Sequence, residues 1–206
     1  MREDLEQSNP VQIYSTEVSY KQLHINLNSE IKEAYHYGDI NQHLRSLGEG
    51  DIVHLHINSP GGALDSAIEL VYNLQKCPAT VIGYLGADAS SAGSMIFLAC
   101  DDWEIHPLST MMIHNGTAGS FGSIPEMRNR TEHLDALLSR VLDTFYAGFL
   151  SEQEIERHIA GRVDQYMFAE EIEQRLIKLE AYRVEEVKKF TQEMEDSLND
   201  NDNDSE

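Results

Sequence analysis

An α/β layered fold with mostly parallel strands is predicted by three features of the sequence. Apolar segments with strand periodicity alternate along the chain with segments of helical periodicity. Glycine-rich turns separate them, and 206 residues with 41% hydrophobic content suffice for one sizeable core.

Gln22–Leu27 and Asp51–Ile57 read as strands, the second alternating Val53, Leu55 and Ile57 with His54 and His56. The two histidines are expected to face solvent or a docking surface. Between the strands, Asp39 is placed to cap a short helix through Leu47 that Gly48 ends. The Pro60-Gly61-Gly62 turn leads into a helix over Ala63–Gln75, with Ala67, Ile68, Val71 and Leu74 at helical spacing. Ala79–Tyr84 is a third strand and Met111–Ile113 a short one. The longest helix is predicted from Ile124 to about Gly148. Ser123 with Glu126 forms a capping box, Pro125 lies in the first turn, and Leu134, Leu137, Leu138, Val141, Leu142 and Phe145 form one apolar stripe. Helices over Ser151–Ala160 and Ala169–Lys178 follow.

Charge narrows the function. Lys and Arg total 15 against 36 Asp and Glu, a formal net charge of −21. Phosphate backbones need cationic partners, so a nucleic-acid binder is not expected, and docking on anionic membranes is disfavoured in the same way. No apolar run approaches the roughly 20 residues that span a bilayer. The first residues are polar and acidic, without the apolar core of a signal peptide. Cys77 and Cys100 imply no disulfide framework and read as small buried or half-buried residues. From these features a soluble, cytoplasmic protein is expected. From Glu193 onward the chain carries seven acids and no base, a composition that cannot offset its ordering entropy. The expected organisation is a flexible N-terminus over 1–11, one domain over 12–190 and an acidic disordered tail over 191–206.

Three segments carry residues suited to chemistry. Ile57-Asn-Ser-Pro-Gly-Gly62 is a tight strand-to-helix turn whose glycines admit unusual backbone angles and bring main-chain N–H groups close to a ligand. Such N–H groups can stabilise an oxyanion, although an ordinary turn reads the same way. In Gly86-Ala-Asp-Ala-Ser-Ser-Ala-Gly93 small residues flank Ser90 and Ser91, a setting that presents a nucleophile at a helix start or else simply packs tightly. In Met111-Met-Ile-His114-Asn-Gly116 a histidine ends an apolar strand, and histidine is the usual general base for a serine. With nine histidines in the chain, a structural role for any one is the alternative. No pair has zinc-site spacing, no phosphate loop is present, and no metal or cofactor is expected.

Together these segments resemble the Clp-protease proteolytic subunit family of serine peptidases. The likeness runs from about Val53 to Leu176 and rests on Ile57-Asn-Ser-Pro-Gly-Gly62, Ala89-Ser-Ser-Ala-Gly93, Met112-Ile-His114, the long helix, and Gly161-Arg-Val-Asp164-Gln-Tyr-Met. The resemblance implies a spiral α/β fold of ββα units shared with crotonases, mostly parallel strands, and a protruding long handle helix from Ile124. It implies Ser91 as nucleophile, His114 as general base and Asp164 as the acid that orients it. The backbone N–H groups of Gly62 and Ala92 are then the oxyanion donors. It further implies a ring-shaped homo-oligomer, heptameric or of stacked heptamers, that encloses the sites and acts on protein or peptide substrates, with an AAA+ unfoldase as possible ATP-dependent partner. Two departures are visible. His54 and His56 stand where family members that dock an unfoldase carry aromatic residues, and the N-terminal axial-loop region is not recognisable. Divergent family members occur in bacteriophages, so processing of scaffold and capsid proteins is the runner-up function. An acyl-CoA-binding crotonase relative is a third reading, which would have no need of the Ser91, His114 and Asp164 set.

Overall fold

The computed structural model describes residues 19–116, 119, 121–161 and 163–203, with 198–203 as backbone. The expected flexible segment over 1–11 lies outside them. Among the described residues six strands form one sheet: β1 (Gln22–Leu27), β2 (Ile52–Ser59), β3 (Thr80–Ser90), β4 (Asp102–Ile105), β5 (Thr110–Ile113) and β6 (Gln165–Phe168). Their spatial order is β1-β2-β3-β5-β6, with β4 beside the first half of β3. Every pairing is parallel except the antiparallel β5–β6 pair. This is the mixed α/β architecture with a mostly parallel sheet that the alternation of elements predicts.

Alternation of apolar and polar residues fixes which face is buried. The β1–β2 register pairs Leu23 with Val53, Ile25 with Leu55 and Leu27 with Ile57, and Val53, Leu55 and Ile57 are buried in the core. His24 pairs with His54 on the opposite face, and His56 pairs with Tyr84 of β3. There the rings form a ladder: His24 stacks on His54 at 4.4 Å and His56 on Tyr84 at 4.6 Å. His54 and His56 are therefore half-buried, His54 with Nδ1 3.0 Å from the Tyr84 hydroxyl.

The third strand does not end at Tyr84. It continues to Ser90, because the small residues read as a turn stay extended and pair Asp88, Ala89 and Ser90 with Thr110, Met111 and Met112 of β5. The strand thus brings the serine pair to the C-terminal end of an interior strand, where α3 (Ala92–Leu98) begins.

The helices match the periodicity with three corrections. In α1 (Gly38–Arg45), Tyr37 occupies the cap position and no side-chain cap bond forms; Asp39 lies inside the first turn, so it is not the cap. A 3-10 turn over Ala34–Tyr37 precedes it and shifts the helix start. The helix α2 (Leu64–Lys76) buries Ala67, Leu70, Val71 and Leu74 as its spacing predicts. The long helix α4 (Ile124–Phe145) opens with the expected capping box, in which the Ser123 N–H donates to Glu126 Oε2 at 2.8 Å. Its stripe is unevenly covered: Val141 and Leu142 are buried, Leu134, Leu137, Leu138 and Phe145 half-buried, and Ile124 is 71% exposed. After α5 (Glu152–Gly161), helix α6 spans Ala169–Asn203 and so passes well beyond Lys178, into the acidic segment expected to lack order. Leu176 and Leu179 hold its first turns to the core, and Arg183 donates to the carbonyls of Leu98 and Cys100 while lying 5.3 Å from the Trp103 ring. Lys188–Glu185 and Lys189–Glu186 pairs at i, i+3 add modest support further along. Cys77 is half-buried and Cys100 buried; both thiols are free. No helix among the described residues is long and apolar enough to cross a membrane.

Candidate active site

The site is built where β3 hands the chain to α3. Ser91 has φ 53° and ψ −122° and is the only described non-glycine residue with positive φ. Such a conformation costs about 1–3 kcal/mol and persists only where its surroundings over-determine it. The Ser91 N–H donates to the Met112 carbonyl at 2.7 Å, which ties it to β5. Its carbonyl accepts the Ser94 N–H at 2.9 Å, the first bond of α3. The preceding hydroxyl is committed elsewhere: Ser90 Oγ donates to Asp88 Oδ1 at 2.7 Å.

Strand pairing then assembles the three expected side chains. His114 directly follows β5 and Asp164 directly precedes β6, and the antiparallel register of those strands ends on the Ile113–Gln165 pair. His114 and Asp164 are therefore neighbours across the ladder although 50 positions separate them. The Ser91 hydroxyl lies 2.7 Å from His114 Nε2, a normal hydrogen bond. His114 Nδ1 lies 3.9 Å from Asp164 Oδ1, within ion-pair range but beyond a hydrogen bond, and the Asp164 side chain is 53% exposed. The serine and histidine are thus engaged, and the acid stands one short movement from the imidazole.

Gly61 and Gly62 form the facing wall. Both have positive φ, +93° and +146°. A bridge between Ile31 and Gly62 holds them, with the Ile31 N–H on the Gly61 carbonyl and the Ala63 N–H on the Ile31 carbonyl, both at 2.8 Å. These two bonds leave the Gly62 N–H unused. A Cβ on Gly61 would fall 3.1 Å from Ala92 N, so the glycine pair lies against the start of α3. Ala92, as the first residue of α3, carries one of the N–H groups that a helix start leaves without an intrahelical acceptor. Gly62 and Ala92 both line a cleft of about 640 Å³ together with Ser91 and His114. Leu134, Leu138 and Val141 of α4, with Met95 and Met112, belong to its apolar lining, and Glu30, paired to Lys32, is the one carboxylate lining it among the described residues.

Two residues of this site escaped the sequence reading. Tyr146 is buried at the end of α4, and its hydroxyl lies 2.8 Å from the equally buried Ser94 Oγ, which donates to the Ser91 carbonyl at 2.7 Å. Burial pushes the Tyr146 phenol well above its usual pKa, and its bond to Ser94 only partly offsets this. A serine three residues past Ser91, inside the otherwise small and apolar Ala92–Leu98 run, was the available signal. Tyr146, four residues after Leu142, reads from spacing alone as one more core residue.

No group of three or more His, Cys, Asp or Glu residues among those described could hold a metal ion. The Clp protease family model matches the sequence over residues 6–181, a span that includes the whole site and stops within α6. Ser91, His114 and Asp164 all fall inside that match, on an α/β fold with a mostly parallel sheet. The chain belongs to the Clp protease family, a family of peptidases that are generally oligomeric and act on proteins.

Proposed function

We propose that the protein is a serine endopeptidase with Ser91 as nucleophile, His114 as general base, Asp164 as the acid that orients it, and Gly62 and Ala92 as backbone oxyanion donors. The observation that carries this reading is the 2.7 Å Ser91–His114 contact made by a serine held at φ 53° over an open cleft. Chemistry follows from these positions. Ser91 Oγ attacks the peptide carbonyl carbon as its proton passes to His114 Nε2. The resulting oxyanion is held by the Gly62 and Ala92 N–H groups. His114 then protonates the leaving amine, giving an acyl-Ser91 ester and a free amino terminus. Water, deprotonated by His114, hydrolyses the ester and regenerates the serine. Asp164 closes on His114 Nδ1–H to fix the tautomer and stabilise the imidazolium.

A ring oligomer enclosing these sites, with unfolding supplied by a separate AAA+ ATPase, is the assembly proposed with this chemistry. The half-covered stripe of α4, together with Ile124 exposed at 71% at the helix start, supports burial against another subunit. Hydrolysis of an unstructured protein such as casein, and of fluorogenic peptides, tests the activity. The parent is expected to cleave both, and Ser91→Ala to lose activity by about 10⁴-fold or more with its assembly state unchanged in native mass spectrometry. Equal activity in Ser91→Ala overturns the nucleophile assignment.

A further inference from the structure

The carbonyl of Ser91 is a point of convergence that the proposed chemistry does not use. Besides the Ser94 N–H at 2.9 Å and the Met95 N–H at 3.4 Å, it accepts the Ser94 hydroxyl at 2.7 Å and faces the Tyr146 hydroxyl at 3.5 Å. Ser94 has one hydroxyl proton and spends it on the Ser91 carbonyl, so the 2.8 Å bond to Tyr146 has the phenol as donor. Ser94 is wholly buried and Tyr146 2% exposed, so water does not compete for these bonds. The phenol remains protonated there because burial disfavours its anion.

Peptide planarity gives this contact its consequence. The Ser91 carbonyl and the Ala92 N–H belong to one rigid trans peptide unit and point in opposite directions. Fixing the carbonyl therefore fixes the direction of the Ala92 N–H at the cleft, which Ala92 and Tyr146 both line. It also holds Ser91 at ψ −122°, from which an unclamped residue would relax toward an ordinary cap conformation. Tyr146 closes α4, the helix whose Leu134, Leu138 and Val141 form the cleft wall, so the clamp joins that wall to the nucleophile turn.

We propose that Tyr146, acting through Ser94, is a positioning residue that orients the Ser91–Ala92 peptide, and with it the oxyanion-binding Ala92 N–H. This rests on Ser91 being the nucleophile. Since the oxyanion exists only after attack, the clamp acts on kcat and on covalent labelling, and leaves substrate binding alone.

The test compares Tyr146→Phe, Ser94→Ala and the double variant with the parent in peptide hydrolysis and in the rate of labelling by a fluorophosphonate. Tyr146→Phe is nearly isosteric, and Ser94→Ala removes a single hydroxyl, so two independent routes reach the same bond. The expected result is a fall of about threefold to tenfold in kcat for each variant, the size of one or two hydrogen bonds. KM stays within about twofold, labelling slows in step with kcat, and the double variant is no slower than Ser94→Ala. Parental kcat and labelling rates in both single variants overturn the proposal, even if their melting temperatures fall. So does a rise in KM alone, or losses that simply multiply in the double variant. Failure of the underlying reading has a separate signature: a parent protein that neither labels nor hydrolyses peptide.

Discussion

Gly61 leaves its missing side chain aimed at the nucleophile turn: a Cβ there would fall 2.7 Å from the Ser90 carbonyl oxygen, 2.7 Å from Ser91 Cβ and 3.1 Å from Ala92 N. Gly61→Ala thus brings two separable costs. Holding alanine at φ +93° costs about 1–2 kcal/mol. The overlaps involve backbone and Cβ atoms that no rotamer change can move aside, and overpacking of that kind costs about 1–3 kcal/mol. For a chain of this size these add to a fall in melting temperature of about 5–15 °C. The alternative is for the two turns to separate. Reaching an ordinary 3.4 Å contact from 2.7 Å requires about 0.7 Å of movement at Ser91, and a 1 Å misplacement of reacting groups can cost about 10²-fold. The expected outcome is a drop of about 30-fold to 100-fold in fluorophosphonate labelling rate, measured by intact mass over time, beside a lowered melt followed by circular dichroism. Gly86→Ala is the reference, because a Cβ there meets nothing closer than the Ile57 carbonyl oxygen at 3.7 Å. A Gly61→Ala protein that labels at the parent rate and melts with the parent would refute the argument that this close approach shapes the site.

Three further outcomes are expected. Asp164→Asn should lower kcat by about 10²-fold or more while leaving the melting temperature within about 2 °C, because an exposed amide cannot support the imidazolium; steady-state kinetics with unchanged kcat would remove Asp164 from the mechanism. Glu154 accepts both Arg175 guanidinium nitrogens, at 2.7 and 3.1 Å, and that pairing holds its carboxyl well below the usual carboxylate range. A depressed folded-state pKa stabilises the fold above the unfolded value near 4.5 and loses that stabilisation as pH falls further, so Glu154→Gln should cost about 2–3 kcal/mol at neutral pH and flatten the acid limb of the melting curve; an unchanged acid limb counts against it. Burial, with smaller contributions from His24 and His56, lowers the His54 pKa from 6.5 against an opposing pull from Glu104. Below that value the unfolded chain takes up a proton that the folded one resists, so stability falls as pH drops below about 6.5, and His54→Phe should reduce this slope; identical slopes in parent and variant would exclude the histidine ladder as its source.

Strands β1 and β2 and helix α2 were legible because their burial follows a strict period within one segment, as with Val53, Leu55 and Ile57. The four-residue strands β4 and β6 were not. Asp-Trp-Glu-Ile and Gln-Tyr-Met-Phe are too short to declare a period, and they exist because β3 and β5 offer edges. The extension of β3 to Ser90 was hidden for the same reason, since glycine and alanine carry no strand signal until a partner strand pairs with them. The length of α6 was missed because its apolar residues thin out after Leu179; the Arg183 bonds to the end of α3 that help hold it come from 85 residues away in sequence. Of the candidate site, Ser91, His114 and Asp164 were named from the family resemblance; the β3–β5 register explains why Ser91 lies beside His114, and the β5–β6 register why Asp164 lies near it. Tyr146 was not, because its role depends on an acceptor 52 positions away.

The most direct measurement is intact-mass analysis after treatment with a fluorophosphonate, with peptide mapping of the adduct, on the parent and on Ser91→Ala. An activated serine at the β3–α3 junction predicts one adduct per chain, located on Ser91, formed at a rate that His114→Ala reduces by several orders of magnitude, and absent from Ser91→Ala. No adduct on the assembled parent protein, or an adduct that persists in Ser91→Ala, would contradict the assignment of Ser91 as the nucleophile.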